Sequence, residues 1–448
     1  MGRYLNPGME SFEKSVNSEI YVDKTGLVGY TNRVMNTVQG YVCVSRPRRF
    51  GKSMAANMLT AYYSRGCDSR EIFSKFEISE SLDFEKYRNK YNTIFLNMQE
   101  FLSRSDSVEA LVDRVKKLVL RDLKREYPDV DYFDDTDLVE SMQDIYETEK
   151  CPFVVIIDEW DCIFREFRQN KEAQEKYLDF LRDLLKDKAC IHLAYMTGIL
   201  PIKKYGTHSA LNMFDEFSMI NPGPLAPYVG FTEVEVEYLC HKYRMDIEEV
   251  KAWYDGYSFS MAASVYSPRS VVNSMLFGKI ENYWNQTETF EALQVYIDMN
   301  FDGLKDDVLS MIAGERIPVN TGSFTNDMTT FRTEDDVLTL LIHLGYLGYN
   351  QNDKTAFVPN EEIRQELTAA VQSTKWDEFL AFQRESGELL DATLDMEADV
   401  VAEKMEKIYM EYVSSVQYHD ENSLSSVLTI AYLSAMKYYF KPIREMPA

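Results

Sequence analysis

The feature that most constrains the fold of this 448-residue chain is a loop that follows an apolar stretch and ends in Gly51-Lys52-Ser53. The apolar stretch, Gly40 to Val44, is predicted to be a strand. The segment from Ser53 to Tyr63 is predicted to be a helix, because its apolar residues recur at spacings of three and four. A strand that ends in such a turn and continues as a helix directs free backbone N–H groups and the positive helix end at one point. The loop is therefore predicted to bind phosphate.

A second motif supplies carboxylates for the same site. The apolar run Phe153 to Ile157 reads as a buried strand and is followed directly by Asp158 and Glu159. In a nucleoside triphosphate site, Lys52 would contact the β and γ phosphates, and Ser53 with Asp158 would hold Mg²⁺. Glu159 is left to orient and activate the attacking water. The pairing of the two motifs is more specific than either alone, since each also has an ordinary interpretation as a helix start or a strand exit.

A further apolar run, Ile191 to Met196, is followed by Thr197. Thr197 is predicted either to sense the γ phosphate or to cap a helix before Gly198. The complete set of nucleotide-binding residues predicted from the sequence is Arg46, Arg48, Arg49, Phe50, Gly51, Lys52, Ser53, Met54 and Thr197.

The phosphate loop departs from the usual Gly-x-x-x-x-Gly-Lys-Ser/Thr pattern, because Arg46 stands at the first glycine position. Glycine there lets the backbone turn tightly, so its replacement implies a loop of different shape, or a site that binds nucleotide and turns it over poorly. The positive charges of Arg46, Arg48 and Arg49 would partly compensate.

Strand and helix patterns alternate along the first half of the chain, with a further apolar strand at Thr93 to Asn97 and an amphipathic helix from Val108 to Leu123 that Asp106 or Ser107 could cap. Alternation of this kind predicts an α/β fold with a parallel sheet covered by helices on both faces. Ligands on such sheets bind beyond the carboxyl ends of the strands, where the two motifs would meet.

The segment Asn221 to Pro224 breaks regular structure, and the pattern beyond it is mainly helical. We predict three regions: a P-loop ATPase domain over residues 1–225, a helical and winged-helix-like region over 226–370, and a helical region over 371–448. The winged-helix prediction rests on a helix at Val337 to Tyr346 followed by a hairpin formed by Leu347 to Asn350 and Ala356 to Val358. Few basic residues occur there, so packing against the ATPase core is favoured over DNA binding.

Composition narrows the functional class. The chain has 73 acidic and 48 basic residues, a net charge of -25, which disfavours extended contact with a nucleic acid backbone. The six cysteines are scattered without Cys-x-x-Cys spacing, which argues against a zinc site and favours a reducing cytoplasm. No stretch approaches the roughly eighteen apolar residues of a membrane span, so no membrane association is predicted.

Several motifs together resemble the prokaryotic AAA-ATPase-like family: Tyr21 to Thr25, Arg46 to Ser53, Ile157 to Asp161, Trp253 to Tyr257 and Val265 to Pro268. In that family an arginine-rich phosphate loop replaces the glycine-first form. The resemblance implies an AAA-like P-loop ATPase of the ASCE class (additional strand, catalytic glutamate), with ATP and Mg²⁺ as cofactors. The rival interpretation is a nucleotide-gated switch with negligible turnover, which acts on a protein partner, a second copy of the chain or an attached domain.

Members of the family commonly carry a C-terminal nuclease-like domain of the PD-(D/E)XK type. The segment Tyr418 to Tyr439 resembles its opening helix, and Glu421 would be a residual metal-side carboxylate or simply an acid at a helix start. The chain ends at Ala448 before the carboxylate and Glu-x-Lys pair that such a nuclease needs. Contact with nucleic acid is therefore expected only through a more complete C-terminal domain.

Two smaller motifs keep two interpretations each. Asp23 and Lys24 either contact the base or cap the helix that follows them. Tyr254, Asp255 and Tyr257 either stack a base or peptide, or anchor a domain contact around a tight turn, and the structural role is favoured.

Overall fold

The structure is a computed structural model that describes residues 2–202, 211–259, 262–284, 301, 303–325, 331–373, 386 and 388–412. The strands are β1 (Tyr41–Ser45), β2 (Asn92–Asn97), β3 (Phe153–Asp158), β4 (Ile191–Gly198), β5 (Asp215–Phe217), β6 (Phe231–Thr232), β7 (Tyr257–Phe259), β8 (Ala262–Tyr266), β9 (Ile317–Pro318), β10 (Gly348–Asn350) and β11 (Thr355–Phe357).

The helices of the first half are α1 (Glu10–Val16), α2 (Gly26–Val34), α3 (Lys52–Tyr63), α4 (Arg70–Phe73), α5 (Phe84–Tyr87), α6 (Met98–Leu102), α7 (Val108–Glu126), α8 (Leu138–Glu149), α9 (Cys162–Glu166) and α10 (Lys171–Leu185). Those of the second half are α11 (Glu233–Tyr243), α12 (Ile247–Tyr254), α13 (Pro268–Phe277), α14 (Leu304–Ile312), α15 (Glu334–Leu344), α16 (Glu361–Ser373) and α17 (Ala398–Tyr412). Glu77–Glu80 and Gly223–Tyr228 are 3₁₀ segments.

A five-stranded parallel sheet forms the core of the first region, in the order β2-β3-β4-β1-β5. Strand β4 lies between β1, which leads into the phosphate loop, and β3, which ends at Asp158. This inserted strand is the additional strand of the ASCE class, as predicted. The four apolar strands predicted from the sequence are all present, with ends that differ by one or two residues.

Burial explains why these strands could be predicted from the sequence. All six residues of β3 are buried, as are four of the five residues of β1, because helices cover both faces of the sheet. Strand β5 was not predicted, because it is three residues long and contains Asp215 and Glu216, so it has no apolar pattern. It forms the sheet edge beside β1. Helix α7 begins where predicted, and Ser107 provides the cap: its side chain accepts a hydrogen bond from the backbone N–H of Ala110.

The second region contains a small antiparallel sheet, β6-β8-β7, packed with α11, α12 and α13. The sequence predicted only helices and turns here, because these strands have two to five residues and do not show a long alternating pattern. Tyr254 and Tyr257 are buried, and their hydroxyls donate to the carbonyl oxygens of Glu281 and Gly345. The aromatic motif therefore has the contacts of a structural anchor.

The second region also contains the helix and the hairpin that were predicted to form a winged-helix-like element. Helix α15 is followed by the hairpin β10-β11, and β9 completes a three-stranded antiparallel sheet. This element lies against the phosphate loop, since a Cβ placed on Gly345 would be 2.6 Å from Cγ of Pro47. The segment Tyr418 to Tyr439, with Glu421, falls outside the described residues. None of the helices in the described ranges is both long and apolar enough to cross a bilayer.

Candidate functional site

The loop between β1 and α3 has the backbone of a phosphate cradle. Arg49 and Gly51 adopt positive φ angles of 72° and 89°, and Gly51 is the N-cap residue of α3. Glycine meets the conformational requirement without strain and has no side chain to cap the helix. The first N–H groups of α3 therefore face outward, beside the positive end of the helix dipole.

A cavity of about 960 Å³ opens at this loop, beyond the carboxyl ends of the sheet strands. The predicted residues that line it are Arg48, Arg49, Phe50, Gly51, Lys52, Ser53, Met54 and Glu159. Its volume suits a nucleotide-sized ligand, since small-molecule sites typically enclose about 300–1,000 Å³.

Lys52 is buried at the floor of the cavity, and its Nζ donates a hydrogen bond of 2.8 Å to the carbonyl oxygen of Pro47. Burial lowers the pKa of Lys52, while the nearby carboxylates of Glu159, Asp161 and Asp158 oppose that shift. The Lys52 ammonium is thus hydrogen-bonded to the loop and lies within the electrostatic influence of the carboxylate motif.

Asp158 lies below Ser53 and is almost fully buried. Burial raises the pKa of Asp158 to about 6, and a hydrogen bond with the Ser53 side chain acts in the opposite direction. The Thr197 hydroxyl lies 3.5 Å from Oδ1 of Asp158, and Nδ2 of Asn97 lies 3.4 Å from Oδ2. A carboxylate and a hydroxyl side by side are the hard oxygen donors that Mg²⁺ takes, together with water and phosphate. The residues present therefore fit a magnesium ion.

Thr197 is part of strand β4, paired with Asp158 of β3 and Val44 of β1. It is therefore a strand residue and not a helix cap. The end of the inserted strand places its hydroxyl beside the carboxylate motif, although Thr197 does not line the cavity directly.

Glu159 lines the cavity in a conformation that non-glycine residues seldom adopt, with φ of 54°. Its Oε2 lies 2.5 Å from Nη2 of Arg165, which is on α9. Backbone strain of this kind is concentrated at functional sites, where the surrounding structure holds it in place.

Arg46 occupies a different position from the one predicted. Its side chain is fully buried beneath the loop, where Nη1 donates to the carbonyl oxygens of Ser45 and Phe217 at 3.0 and 3.1 Å. Its guanidinium also lies over the ring of Phe259. Arg46 does not line the cavity, so a direct contact with nucleotide there is not retained; the long side chain ties β1 to β5 instead.

Sequence reasoning missed Arg269, the second residue of α13, which reaches the cavity from the second region. Its charge lowers the pKa of Arg49, after the larger effect of burial. A signal was available: Ser267-Pro268 marks a helix start, and an arginine in the first turn opposes the helix dipole unless it has another task.

Part of the cavity lining is apolar and aromatic: Ile20, Tyr21 and Val22 from the N-terminal segment, together with Phe231 and Met58. This composition suits a nucleobase.

The two polar residues that follow this segment have different contacts. Asp23 accepts hydrogen bonds of 2.8 Å from the backbone N–H groups of Thr25 and Glu77, so it stabilises the turn before α2, but the N-cap of α2 is Thr25 and no side chain caps the helix. Lys24 lines the cavity and binds both carboxylate oxygens of Glu235 at 2.6 Å. The N-terminal segment is thereby joined to the second region.

The strand order, the loop geometry and the paired carboxylates define a P-loop protein of the ASCE class. Residues 6–207 match the model of the AAA-ATPase-like family, described as predicted AAA-ATPase. The chain is also 24% identical over 412 residues to an uncharacterized protein in the vnfD 5′ region of Azotobacter chroococcum mcd 1, covering 86% of this chain and 73% of that protein.

Among solved structures, the Aeropyrum pernix ORC2 protein in ADPNP–ADP complexes is similar with a TM-score of 0.34 and 12% identity, over 80% of this chain and 97% of that chain. The Aeropyrum pernix ORC1 protein in complex with DNA has a TM-score of 0.31 and 10% identity, over 85% and 100%. Scores this low do not establish a shared overall arrangement, so the fold class rests on the strand order and the loop described above.

Proposed function

We propose that this protein binds ATP with Mg²⁺ and hydrolyses it. The observation that carries the proposal is that Lys52 and Ser53 from the loop line one cavity with Glu159, which directly follows β3, while Asp158 at the end of β3 is hydrogen-bonded to Ser53. A site that only bound nucleotide would have no need of a carboxylate next to the metal-binding aspartate.

Each side chain has a separate task in this proposal. Lys52 and the N–H groups at the start of α3 bind the β and γ phosphates, and Ser53 and Asp158 would hold the magnesium ion, which supplies charge neutralisation when bound. Thr197 orients Asp158 and responds to the γ phosphate. Glu159 accepts a proton from the attacking water.

The second region supplies positive charge to the same ligand. Arg48 and Arg49 from the loop and Arg269 from α13 line the cavity. We propose that Arg269 contacts the phosphates and so joins the second region to the first when nucleotide binds. Adenine would lie at the apolar part of the lining, between Tyr21 and Phe231, with Met54 beside the loop.

A nucleotide-gated switch with negligible turnover is the second candidate, and a specific contact favours it. Gly345 of the winged-helix-like element lies against Pro47, so movement of the phosphate loop would be transmitted directly to that element. In this version a protein partner, a second copy or a C-terminal nuclease-like domain receives the signal. The domain boundaries near residues 225 and 370, and a cytoplasmic location, belong to this proposal too.

The test is phosphate release from ATP with magnesium by the wild type, Glu159→Gln and Lys52→Ala, together with calorimetric binding. We expect Glu159→Gln to bind ATP but to lose roughly 10²–10⁴-fold in turnover, the usual contribution of a general base. Lys52→Ala should fail to bind. Tight binding by the wild type with no release above the Glu159→Gln background would select the switch, and absence of binding in the wild type would reject both functions.

A further inference from the structure

Arg165 is a basic residue that the sequence analysis did not place in the site. It lies on the short helix α9, directly after the carboxylate motif, and lines the same cavity as Lys52 and Ser53. Its side chain is only 10% exposed. A nearly buried arginine at the phosphate end of a cavity needs an anion to compensate its charge.

Two carboxylates provide that compensation, and they differ in how firmly they are held. Asp161 is fully buried, 3.4 Å from Nε of Arg165, and its Oδ2 accepts hydrogen bonds from the backbone N–H groups of Ile199 (3.1 Å) and Leu200 (2.8 Å). Glu159, 2.5 Å from Nη2 of Arg165, has a 23% exposed side chain that faces the cavity. Asp161 is therefore a fixed anchor, and Glu159 is the exchangeable partner.

The guanidinium also has unused donor capacity. Its Nε is buried and has no hydrogen-bond acceptor within the described ranges of the chain, because the 3.4 Å contact with Asp161 is an ion pair without hydrogen-bond geometry. The nearby carboxylates Asp161 and Glu159 outweigh the effect of burial and raise the pKa of Arg165, so the side chain stays charged. A buried cation with a spare donor is suited to a second, more highly charged anion.

A γ phosphate beside Lys52 and Ser53 would be such an anion. Arginine matches phosphate oxygens with two parallel N–H groups, and the phosphate carries more charge than one carboxylate. We propose that Arg165 is a catalytic residue, an inference that rests on the ATPase function proposed above. When ATP binds, Arg165 leaves Glu159 and contacts the γ phosphate, and Glu159 is then free to activate water.

The exchange places both groups where the reaction needs them. The water oxygen forms a bond to the γ phosphorus, and the bond from that phosphorus to the bridging oxygen breaks with its electron pair leaving on ADP. The water proton passes to Glu159, and Arg165 balances the charge that develops on the γ oxygens. The chain would thus supply from α9 the arginine that many such enzymes take from a second molecule.

The contact with the γ phosphate makes a prediction that separates ATP from ADP. The experiment compares the wild type with Arg165→Ala, Arg165→Lys and the surface control Arg182→Ala, which removes an exposed ion pair with Asp179 on α10. Affinities for ATP and ADP are measured by calorimetry, turnover by phosphate release, and folding by the thermal midpoint.

We expect Arg165→Ala to lower turnover by roughly 10²-fold or more and to weaken ATP by about tenfold, with ADP affinity unchanged. Arg165→Lys should recover part of the ATP affinity, and Arg182→Ala should match the wild type. Faster ATP turnover by Arg165→Ala would overturn the proposal, because it would mean that Arg165 inhibits catalysis by keeping Glu159 in the ion pair. Equal losses of affinity for ATP and ADP would also overturn the proposal and would show that Arg165 has only a structural role.

Failure of the ATPase function would be recognised separately. A wild type without turnover rejects hydrolysis and with it the catalytic role of Arg165. The ATP-to-ADP affinity ratio then still tests the γ-phosphate contact: the contact is supported if Arg165→Ala loses the preference for ATP, and excluded if the ratio is unchanged.

Discussion

Nζ of Lys52 donates a 2.8 Å hydrogen bond to the carbonyl oxygen of Pro47, across the loop that joins β1 to α3. Pro47 is also the loop residue against which Gly345 packs. The predicted phosphate lysine and the winged-helix-like element therefore meet at one loop residue. A phosphate that attracts Lys52 competes with the Pro47 carbonyl, which gives nucleotide binding a direct structural route to the winged-helix-like element.

Lys52→Met should separate ligand binding from folding. We expect its free energy of unfolding to stay within about 1 kcal/mol of the wild type, since the lost hydrogen bond is offset by removal of a buried cation. ATP with magnesium at a hundred times its Kd should stabilise the wild type by about 2.7 kcal/mol and leave Lys52→Met unchanged. Thermal unfolding with and without ligand measures this, with Lys176→Met as a surface control. An equal shift in Lys52→Met would exclude a phosphate contact by Lys52.

Arg46 offers a test of its structural position. Burial lowers the pKa of Arg46 to about 10, and its Nε and Nη2 have no hydrogen-bond partner among the described residues. Methionine fills a similar length without a charge, so Arg46→Met should cost little stability, whereas Arg46→Ala should cost about 3 kcal/mol through the cavity that it leaves. Urea unfolding measures both. ATP affinity should not change in Arg46→Met; a tenfold loss would restore the nucleotide-contact interpretation.

The parts of the fold that the sequence predicted are those where burial is uniform. Strands β1 to β4 are continuous apolar runs because helices cover both of their faces, and the α7 cap at Ser107 is a local hydrogen bond. Strands β5 and β7 could not be found in this way. Each has three residues, and each is stabilised by its position next to a longer strand and not by its own pattern.

The candidate site divides along a similar line. Residues whose role depends on neighbours in sequence, such as Gly51, Lys52 and Asp158, were placed at the cavity or next to it. Arg46 was predicted to contact nucleotide and is buried away from the cavity, whereas Arg165 was not predicted and lines it, because the direction of a long side chain depends on which other element supplies its acceptor. The carbonyl oxygen of Phe217 in β5 accepts a hydrogen bond from Arg46, and the carboxylate of Glu159 forms an ion pair with Arg165.

The Lys24–Glu235 ion pair joins the N-terminal segment to α11, and Lys24 lines the cavity. Burial lowers the pKa of Lys24 and Glu235 opposes that shift, so either single substitution leaves a poorly solvated group. We expect Lys24→Met and Glu235→Gln each to cost about 2 kcal/mol of unfolding free energy, and the double variant to cost at least 1 kcal/mol less than their sum. Chemical denaturation of the four proteins gives the coupling. Additive losses would show that the pair contributes nothing beyond its separate residues.

Glu362 on α16 should make stability depend on pH. Its carboxylate accepts hydrogen bonds from the Ser270 hydroxyl and the backbone N–H of Tyr283. Arg49 and Glu366 lie near enough to interact electrostatically with this carboxylate. Burial raises the pKa of Glu362 from 4.5 to about 7. Between these values the folded protein binds a proton that the unfolded chain has released, so this group's contribution to stability is complete below pH 4.5 and is lost as pH rises through 7.

Glu362→Gln removes this titration while keeping the shape of the side chain. We expect the variant and the wild type to have similar unfolding free energies near pH 4.5, and the variant to be more stable by about 3 kcal/mol at pH 8, since each pKa unit corresponds to about 1.4 kcal/mol. Urea titrations at four pH values measure the difference, with the surface substitution Glu248→Gln as the control. A difference that does not grow with pH would mean that Glu362 is already ionised in the folded protein at low pH, held in that state by Arg49.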